Sequence, residues 1–158
     1  MASMTSTAMM ASIFDLRIAR EFDAPPSRVF KMWTIPEHFA RWLGPKGYSA
    51  PSLAMDVRVG GVLRGRIRSP EARDYWFSGI FREIVEPERL AFSFAWERGK
   101  RAGAETIVTV EFAAKGGGTV MSMRQTPFRS IEERDASYGG WCEEFDKLEV
   151  YMTKLRAR

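Results

Sequence analysis

The amino-acid sequence predicts an α+β domain in which a curved antiparallel sheet of about seven strands wraps around one long C-terminal helix. Two observations predict this fold. The middle of the chain alternates polar and apolar residues with a period of two, between glycine and proline turns. The last part instead places its apolar residues on one stripe at helical spacing. An apolar sheet face and an apolar helix stripe are expected to bury each other.

The strands and short helices follow from local patterns. An alternating stretch over residues 13–23 predicts the first strand. Prolines favour the first turn of a helix, so two short helices are predicted over 26–33 and 36–43. Six further strands are predicted over 53–59, 62–69, 75–85, 90–97, 105–113 and 119–126.

The final helix has a start signal and a clear apolar stripe. Ser130 and Glu133 have the spacing of a capping box, in which serine and glutamate side chains satisfy free N–H groups. Gly139 and Gly140 are predicted either to interrupt the helix or to mark its true beginning, because each glycine costs about 1 kcal/mol in a helix interior. The stripe consists of Trp141, Phe145, Leu148, Met152 and Leu155.

The bulk composition is that of one ordinary domain. The chain has 158 residues, of which 45% are hydrophobic and 28% are charged, as in a typical globular protein. We interpret residues 1–12 as a disordered leader or tag remnant and residues 13–158 as a single domain. The Met-rich start has neither the charged region nor the long apolar region of a secretory signal.

The charge pattern and the cysteine count argue against several functions. The formal charge is +4, but the basic residues are scattered, whereas a nucleic-acid site would gather them on one face. No stretch approaches the ~20 apolar residues of a membrane span. The single cysteine, Cys142, cannot form an internal disulfide, which favours a reducing compartment. We expect a cytoplasmic protein that binds no nucleic acid.

The order of elements and five stretches of sequence resemble the SRPBCC superfamily, whose members have a START-related helix-grip fold. Within it the chain is most similar to homologues of the activator of the 90-kDa heat-shock chaperone ATPase. The resemblance runs from about Phe14 to Leu155 and implies the fold, but functions in the superfamily range from lipid carriage to polyketide cyclisation. It is carried by Ala24-Pro25 with Val29-Phe30 and Trp33, by Pro36 to Pro45, by Asp56 to Gly61, by Gly79 to Leu90, and by Gly140-Trp141 with Leu148.

Aromatic and methionine side chains are the main functional signal. A strongly curved sheet around one helix is expected to leave a cavity, and these residues would line it; the alternative is plain core packing. Tyr75, Ser78, Gln125 and Tyr138 would supply polar groups that orient a ligand. The ligand-binding candidates are Trp33, Phe77, Phe81, Phe92, Phe94, Trp96, Met121, Met123, Tyr138, Trp141 and Phe145.

Two residues are candidates for catalysis. His38, the only histidine, could act as an acid or base near neutral pH, and Glu83 matches an acidic position of the family. The alternatives are a partly exposed helix residue for His38 and a strand-end salt bridge for Glu83. One histidine, one cysteine and scattered carboxylates predict no metal site, and no cofactor is expected.

Three arginines alternate along one predicted strand, so they project from the same face. Arg64, Arg66 and Arg68 would form an anion site if that face is the cavity side, and a solvated row if it is the convex side. The opposite face offers Leu63, Gly65 and Ile67, which can pack in a core.

Three hypotheses for the function stay open. The first is binding of a small apolar or amphipathic molecule between sheet and helix, with little or no catalysis. The second is an enzyme of polyketide cyclase, dehydratase or hydrolase type on the same fold. The third is an interaction module that contacts a chaperone ATPase. A homodimer could form through an exposed strand edge or a surface tryptophan.

Overall fold

A computed structural model describes residues 14–156, which form seven strands and three helices. The predicted residues 1–12 of the leader lie outside the described part of the chain. The strands are β1 (Leu16–Phe22), β2 (Ser49–Met55), β3 (Val62–Arg68), β4 (Asp74–Val85), β5 (Arg89–Trp96), β6 (Thr106–Lys115) and β7 (Gly118–Thr126), and the helices are α1 (Pro26–Thr34), α2 (Pro36–Trp42) and α3 (Ile131–Arg156).

The strands form one antiparallel sheet in the order β1-β7-β6-β5-β4-β3-β2. Strands β2 to β7 are joined as successive hairpins, and β1 adds to the β7 edge, where Leu16 pairs with Gln125. The sheet is open, because β1 and β2 are its two edges. The α+β fold with about seven antiparallel strands, two short helices and a long C-terminal helix is confirmed.

Helix α3 is continuous over its 26 residues, so the prediction that Gly139 and Gly140 interrupt it or begin it was wrong. Its start is fixed earlier, where the Glu133 backbone N–H donates to Ser130 Oγ over 3.1 Å. In a complete capping box the Glu133 carboxylate would accept a hydrogen bond from the backbone N–H at the start of the helix. Here the carboxylate accepts hydrogen bonds from the Arg129 side chain instead. Tertiary packing of the long helix outweighs the propensity cost of two glycines.

Strand β2 ends four residues earlier than the sequence pattern predicts. Residues 56–61 form a tight loop, in which the Gly61 N–H donates to the Arg58 carbonyl over 2.8 Å. Gly60 N–H donates to the Phe81 carbonyl at the same distance, which ties this loop to β4. The strand starts earlier than predicted, at Ser49, because an edge strand tolerates the missing N–H of Pro51.

The core lies between the inner sheet face, α1, α2 and the C-terminal half of α3. Trp33 from α1 sits at its centre, with its ring centroid 4.9 Å from Trp42 and 6.0 Å from Phe145. Its Nε1–H donates to Met121 Sδ over 3.3 Å. Leu148 and Met152 continue the buried stripe of α3. Within residues 14–156, no helix is long and apolar enough to cross a membrane.

Candidate functional site

A cavity of about 450 Å³ lies between the sheet and the N-terminal half of α3. This volume is within the range of about 300–1,000 Å³ that small-molecule sites occupy. Its lining comes from α3, from the ends of β3, β4, β5 and β7, from the loop after α2 and from the loop between β5 and β6. The lining residues are Leu43, Pro45, Tyr48, Ile67, Tyr75, Phe77, Phe94, Trp96, Arg98, Gly99, Lys100, Arg101, Gln125, Ala136, Ser137, Gly140, Trp141 and Glu144.

Aromatic rings form the sheet side of the cavity. The Phe77 and Phe94 rings stack at 5.0 Å, and Trp96 meets Phe94 edge-on at 5.2 Å. Gly65 on β3 makes room for this group, because a Cβ atom there would lie 2.5 Å from Phe77 Cζ. The missing side chain of Gly65 therefore allows the Phe77 ring to lie flat against β3.

Small residues on α3 keep the helix side of the cavity open. Ala136, Ser137 and Gly140 line the cavity on successive turns of one helix face. A Cβ atom on Gly140 would meet only Pro45 Cγ, at 3.8 Å, which is an ordinary van der Waals distance. Larger residues at these positions would fill the space that now separates α3 from the aromatic wall.

The floor of the cavity contains a closed hydrogen-bond chain. Trp141 Nε1–H donates to Gln125 Oε1 over 2.8 Å, and Gln125 Nε2 donates to Thr106 Oγ1 over 2.9 Å. The Thr106 hydroxyl donates in turn to the Phe94 carbonyl. Each of these buried polar groups has a hydrogen-bond partner. The hydrogen bonds therefore fix the position of Trp141 without leaving one of the groups unpaired.

Among residues 14–156, Glu144 is the only carboxyl group that lines the cavity. Its Oε2 atom is buried and has no hydrogen-bond partner within residues 14–156, while the backbone of Gly44 hydrogen-bonds the same carboxyl group. Burial raises the pKa of Glu144 to about 8, and the charge of Lys147 opposes this shift only in part. At neutral pH the side chain is therefore mainly a neutral carboxylic acid, which can donate a hydrogen bond.

Lys147 clamps the loop after α2 to α3. Its ammonium group donates to the carbonyls of Gly44 at 2.8 Å and Tyr48 at 3.2 Å, and it lies close to those of Leu43 and Pro45. Desolvation lowers the pKa of Lys147 from its usual value. A cation near the last carbonyls of a short helix is stabilising, so the clamp fixes the loop that carries Tyr48 into the cavity wall.

Three cations from the loop between β5 and β6 line the cavity; we call Arg98, Lys100 and Arg101 the cavity mouth. Arg101 is partly buried, and desolvation lowers its pKa. Its Nη1 donates to Ser137 Oγ over 3.0 Å, and its guanidinium lies 5.5 Å from the Trp96 ring centroid. The nearest carboxylate to influence Arg101 is that of Glu133, whose charge partly opposes the lowering of the Arg101 pKa; Glu133 itself forms its ion pair with Arg129.

The structure brings part of the predicted ligand-binding set together. Phe77, Phe94, Trp96 and Trp141 line the cavity. Tyr138 is 49% exposed on α3 and lies away from it. Of the proposed orienting groups, Tyr75 and Gln125 line the cavity and Ser78 does not. The remaining candidates pack in the adjoining core: Trp33, Phe81, Phe92, Met121, Met123 and Phe145.

The two candidates for catalysis lie outside the cavity lining. His38 Nδ1 shares a 2.6 Å hydrogen bond with the Tyr151 hydroxyl on the C-terminal half of α3. The Glu83 carboxylate accepts a hydrogen bond from Arg89 Nε over 2.8 Å. This is the strand-end salt bridge that the sequence offered as the alternative for Glu83. Within residues 14–156, no group of three or more potential metal ligands comes together.

The three alternating arginines form a solvated row on the convex face of the sheet. Arg64 pairs with Glu97 at 2.8 Å, and Arg66 and Arg68 both pair with Asp74. The opposite face of β3 carries Leu63, which is fully buried in the core. Because side chains alternate along a strand, burial of this face turns the three arginines to the convex side of the sheet. The row therefore supplies no anion site to the cavity.

Sequence reasoning missed the polar groups that distinguish the cavity from the core. The apolar stripe predicted for the last helix does not include Glu144, and the sequence predicts no functional role for Arg101. Two signals were present. Glu144 lies seven residues after Ser137 and three after Trp141, on the same helix face, and Arg101 is one of three closely spaced cations in residues 97–105.

The fold and the cavity define a helix-grip domain with an aromatic cavity between its sheet and its long helix. The model of the family described as Activator of Hsp90 ATPase homolog 1-like protein matches residues 23–153, and the chain belongs to this family. The family is part of the SRPBCC superfamily, whose fold commonly binds hydrophobic ligands.

Solved structures agree with this assignment. A crystal structure of a protein from Chromobacterium violaceum is 26% identical, with a TM-score of 0.81 over 87% of this chain and 96% of that one. The AHSA1 protein from Silicibacter pomeroyi is 24% identical, with a TM-score of 0.79 over 88% and 97% of the two chains, which shows the shared fold. No curated protein is similar enough in sequence to count as a match.

Proposed function

We propose that the domain binds a small apolar or amphipathic molecule in the cavity between the sheet and α3. The observation that supports this proposal is the cavity itself. Its size suits a small molecule, and its walls are mainly aromatic and aliphatic, with a few polar groups at defined places. Plain core packing would have filled this space with side chains, as it does at the other end of the helix.

The enzymatic alternative has less support. Neither His38 nor Glu83 lines the cavity, so neither would reach a bound substrate. Glu144 could move a proton, but within residues 14–156 no other carboxyl and no histidine lines the cavity to act as its partner. We further propose that the protein acts in the cytoplasm, which fits the free thiol of Cys142.

A pair of glycine variants tests this proposal. Gly140→Leu places a side chain in the cavity, whereas Gly139→Leu places the same side chain on the exposed side of the helix, where a Cβ atom meets nothing within 4 Å. The probe is N-phenyl-1-naphthylamine, an uncharged aromatic dye that fluoresces in apolar sites. We expect one dye to bind per chain, and Gly140→Leu to weaken binding at least tenfold.

The Gly139→Leu variant is expected to bind the dye as the unmodified chain does. Circular dichroism of both variants checks that α3 is retained. The proposal is wrong if the dye does not saturate at one site, or if the two leucine variants bind it equally well. Mass spectrometry of solvent extracts from the purified chain then searches for a copurified natural ligand.

A further inference from the structure

The polar groups around the cavity restrict the chemistry of its ligand, and this inference rests on the proposed function. We propose that the ligand is an elongated organic anion whose anionic group lies at the cavity mouth, and whose far end carries an oxygen atom that accepts a hydrogen bond from Glu144. The carbon skeleton between these two ends would lie against Phe77, Phe94 and Trp96.

The charges of the cavity favour an anion. Its lining holds three cations, Arg98, Lys100 and Arg101, and a single carboxyl group, Glu144. Arg101 is partly desolvated, and Ser137 engages only one of its five N–H donors in a side-chain hydrogen bond. A partly buried guanidinium with free donors beside an aromatic wall is a suitable partner for a carboxylate, sulfonate or phosphate group.

At the Glu144 side of the cavity, the protein offers a hydrogen-bond donor that a ligand acceptor would satisfy. The Oε2 atom of Glu144 is buried and unpartnered within residues 14–156, and it belongs to a side chain that lines the cavity. A buried polar atom without a partner is costly. Because Oε2 has almost no accessible surface, the Glu144 side chain must rotate towards the cavity before a ligand oxygen can accept its proton and relieve that cost. Burial keeps the acid protonated, with a pKa of about 8, so it is a donor at neutral pH.

Two polar side chains on this side of the cavity, Gln125 and Lys147, are already engaged in hydrogen bonds. Gln125 is engaged with Trp141 on one side and with Thr106 on the other. The Lys147 ammonium group donates its hydrogen bonds to backbone carbonyls of the loop after α2. Among residues 14–156, Glu144 is thus the cavity-lining residue with a buried side-chain atom that has no hydrogen-bond partner.

Helix geometry gives the distance between the two polar ends. Ser137, which holds Arg101, and Glu144 lie two turns apart on the same face of α3, which is about 10 Å along the helix axis. A molecule with its anion and its acceptor at opposite ends of a medium-length apolar chain spans this distance. Its total volume must fit a cavity of about 450 Å³.

The first experiment tests the anionic end with two dyes that differ only by a sulfonate group. These are 1-anilinonaphthalene-8-sulfonate and its uncharged parent, N-phenyl-1-naphthylamine. Arg101→Met should raise the dissociation constant of the sulfonate dye about five- to tenfold and that of the uncharged dye less than twofold. The control Arg64→Met makes the same charge change on the convex face and should alter neither value beyond twofold.

Failure of the anionic end and failure of the ligand cavity give different results with these two dyes. If both dyes bind but Arg101→Met weakens them equally, or weakens neither, the anionic end is wrong and the ligand cavity stands. If neither dye binds to a site that Gly140→Leu blocks, the proposed function itself fails.

The second experiment tests the acceptor end with 9-oxodecanoate and decanoate, which differ by one ketone far from the carboxylate. Each competes with N-phenyl-1-naphthylamine for the cavity. At pH 6.5 the keto acid should bind at least fivefold tighter. This preference should fall towards onefold by pH 9.5, because the ionised Glu144 can no longer donate a hydrogen bond.

The matched variants are Glu144→Gln and Glu143→Gln. The glutamine amide at 144 donates at every pH, so the preference should become independent of pH, whereas replacement of the exposed Glu143 should leave the profile unchanged. Equal binding of the two acids at pH 6.5, or a Glu144→Gln profile like that of the unmodified chain, overturns the acceptor end.

Other titrating groups near Glu144 have different signatures. Lys147 and Glu143 face it from α3, Tyr48 from the loop after α2 and Tyr75 from β4, and the cations of the cavity mouth lie beyond. Desolvation raises the pKa of Tyr48 above its usual value, outside the tested range. The Lys147 ammonium group donates to backbone carbonyls and is not a cavity-lining group, although removal of the Glu144 charge in Glu144→Gln also removes an interaction that raises the pKa of Lys147.

Discussion

The two halves of α3 face the same interior, but one is packed and the other borders a cavity. Phe145 and Leu148 in the C-terminal half are fully buried, and Phe145 contacts the rings of Trp33 and Trp42. In the N-terminal half, the cavity-lining face carries the small residues Ala136, Ser137 and Gly140 before Trp141 and ends at Glu144. Side-chain size along one helix face therefore decides where the interior is a core and where it is a binding site.

Truncation of a side chain in the packed half of α3 should have the largest effect on stability. Phe145→Ala removes a fully buried ring, and we expect a loss of about 3–5 kcal/mol in the free energy of unfolding. Phe94→Ala, which removes a half-buried ring of the cavity wall, should cost less than half as much but weaken dye binding more. Urea denaturation and dye titration measure both effects. Equal stability losses would contradict the distinction between core and cavity.

The buried acid gives the next largest effect, and it depends on pH. The native pKa of Glu144 is about 8, against 4.5 for the unshifted group, so the native state holds a proton that the unfolded state releases between these values. Stability from this group is therefore lost as pH rises from 4.5 to 8. We expect Glu144→Gln to match the unmodified chain at pH 4 and to exceed it by about 2–4 kcal/mol at pH 8.

Urea denaturation of both chains across this range tests the sign. Glu143→Gln serves as the control, since Glu143 is an exposed carboxylate beside it on the helix. A stability difference that is constant with pH would show that burial does not hold the proton on Glu144.

Substitution of Gly139 or Gly140 by alanine should change the free energy of unfolding by a smaller amount. Gly139→Ala and Gly140→Ala each remove the entropic cost of a glycine within a helix, and neither added methyl group clashes. Each should raise the free energy of unfolding by about 0.5–1 kcal/mol. Thermal denaturation checks this expectation. A loss of stability in Gly140→Ala alone would indicate that α3 is closely packed at residue 140 and that no open space adjoins it there.

The arginine row should give the smallest effect. Arg64 pairs with Glu97 and its guanidinium lies 3.9 Å from the Trp76 ring centroid, but the group is nearly half exposed. Such surface pairs contribute about 0–1 kcal/mol. We expect Arg64→Ala to change the free energy of unfolding within this range, and to leave dye binding unchanged. A tenfold loss of dye affinity would place the row in the site.

The fold could be predicted from the sequence because each element has a periodic pattern, and because the apolar stripe of α3 defines what the sheet must cover. The errors lie where tertiary contacts override local signals. Gly139 and Gly140 do not break the helix, and the strand predicted over 53–59 ends at Met55, where the chain turns to pair with Phe81.

The cavity was predictable in outline and less so in its polar groups. Phe77, Phe94, Trp96 and Trp141 were named from alternation and helical spacing, which report the direction of a side chain. Those patterns do not report whether the facing residues fill the space between them, so Phe81 and Phe145 were grouped with the same set. A charged residue such as Glu144 is assigned to the solvent by the same patterns, and only its tertiary surroundings show that it is buried.

Methyl NMR during titration with N-phenyl-1-naphthylamine shows which half of α3 borders the bound dye. Chemical-shift changes report which methyl groups the dye approaches. We predict large changes at Leu43, Ile67 and Ala136, which line the cavity, and negligible changes at Leu148 and Met152 in the packed half of α3. Changes centred on Leu148 and Met152, or on the exposed Val62 and Ile80 of the convex face, would contradict the account.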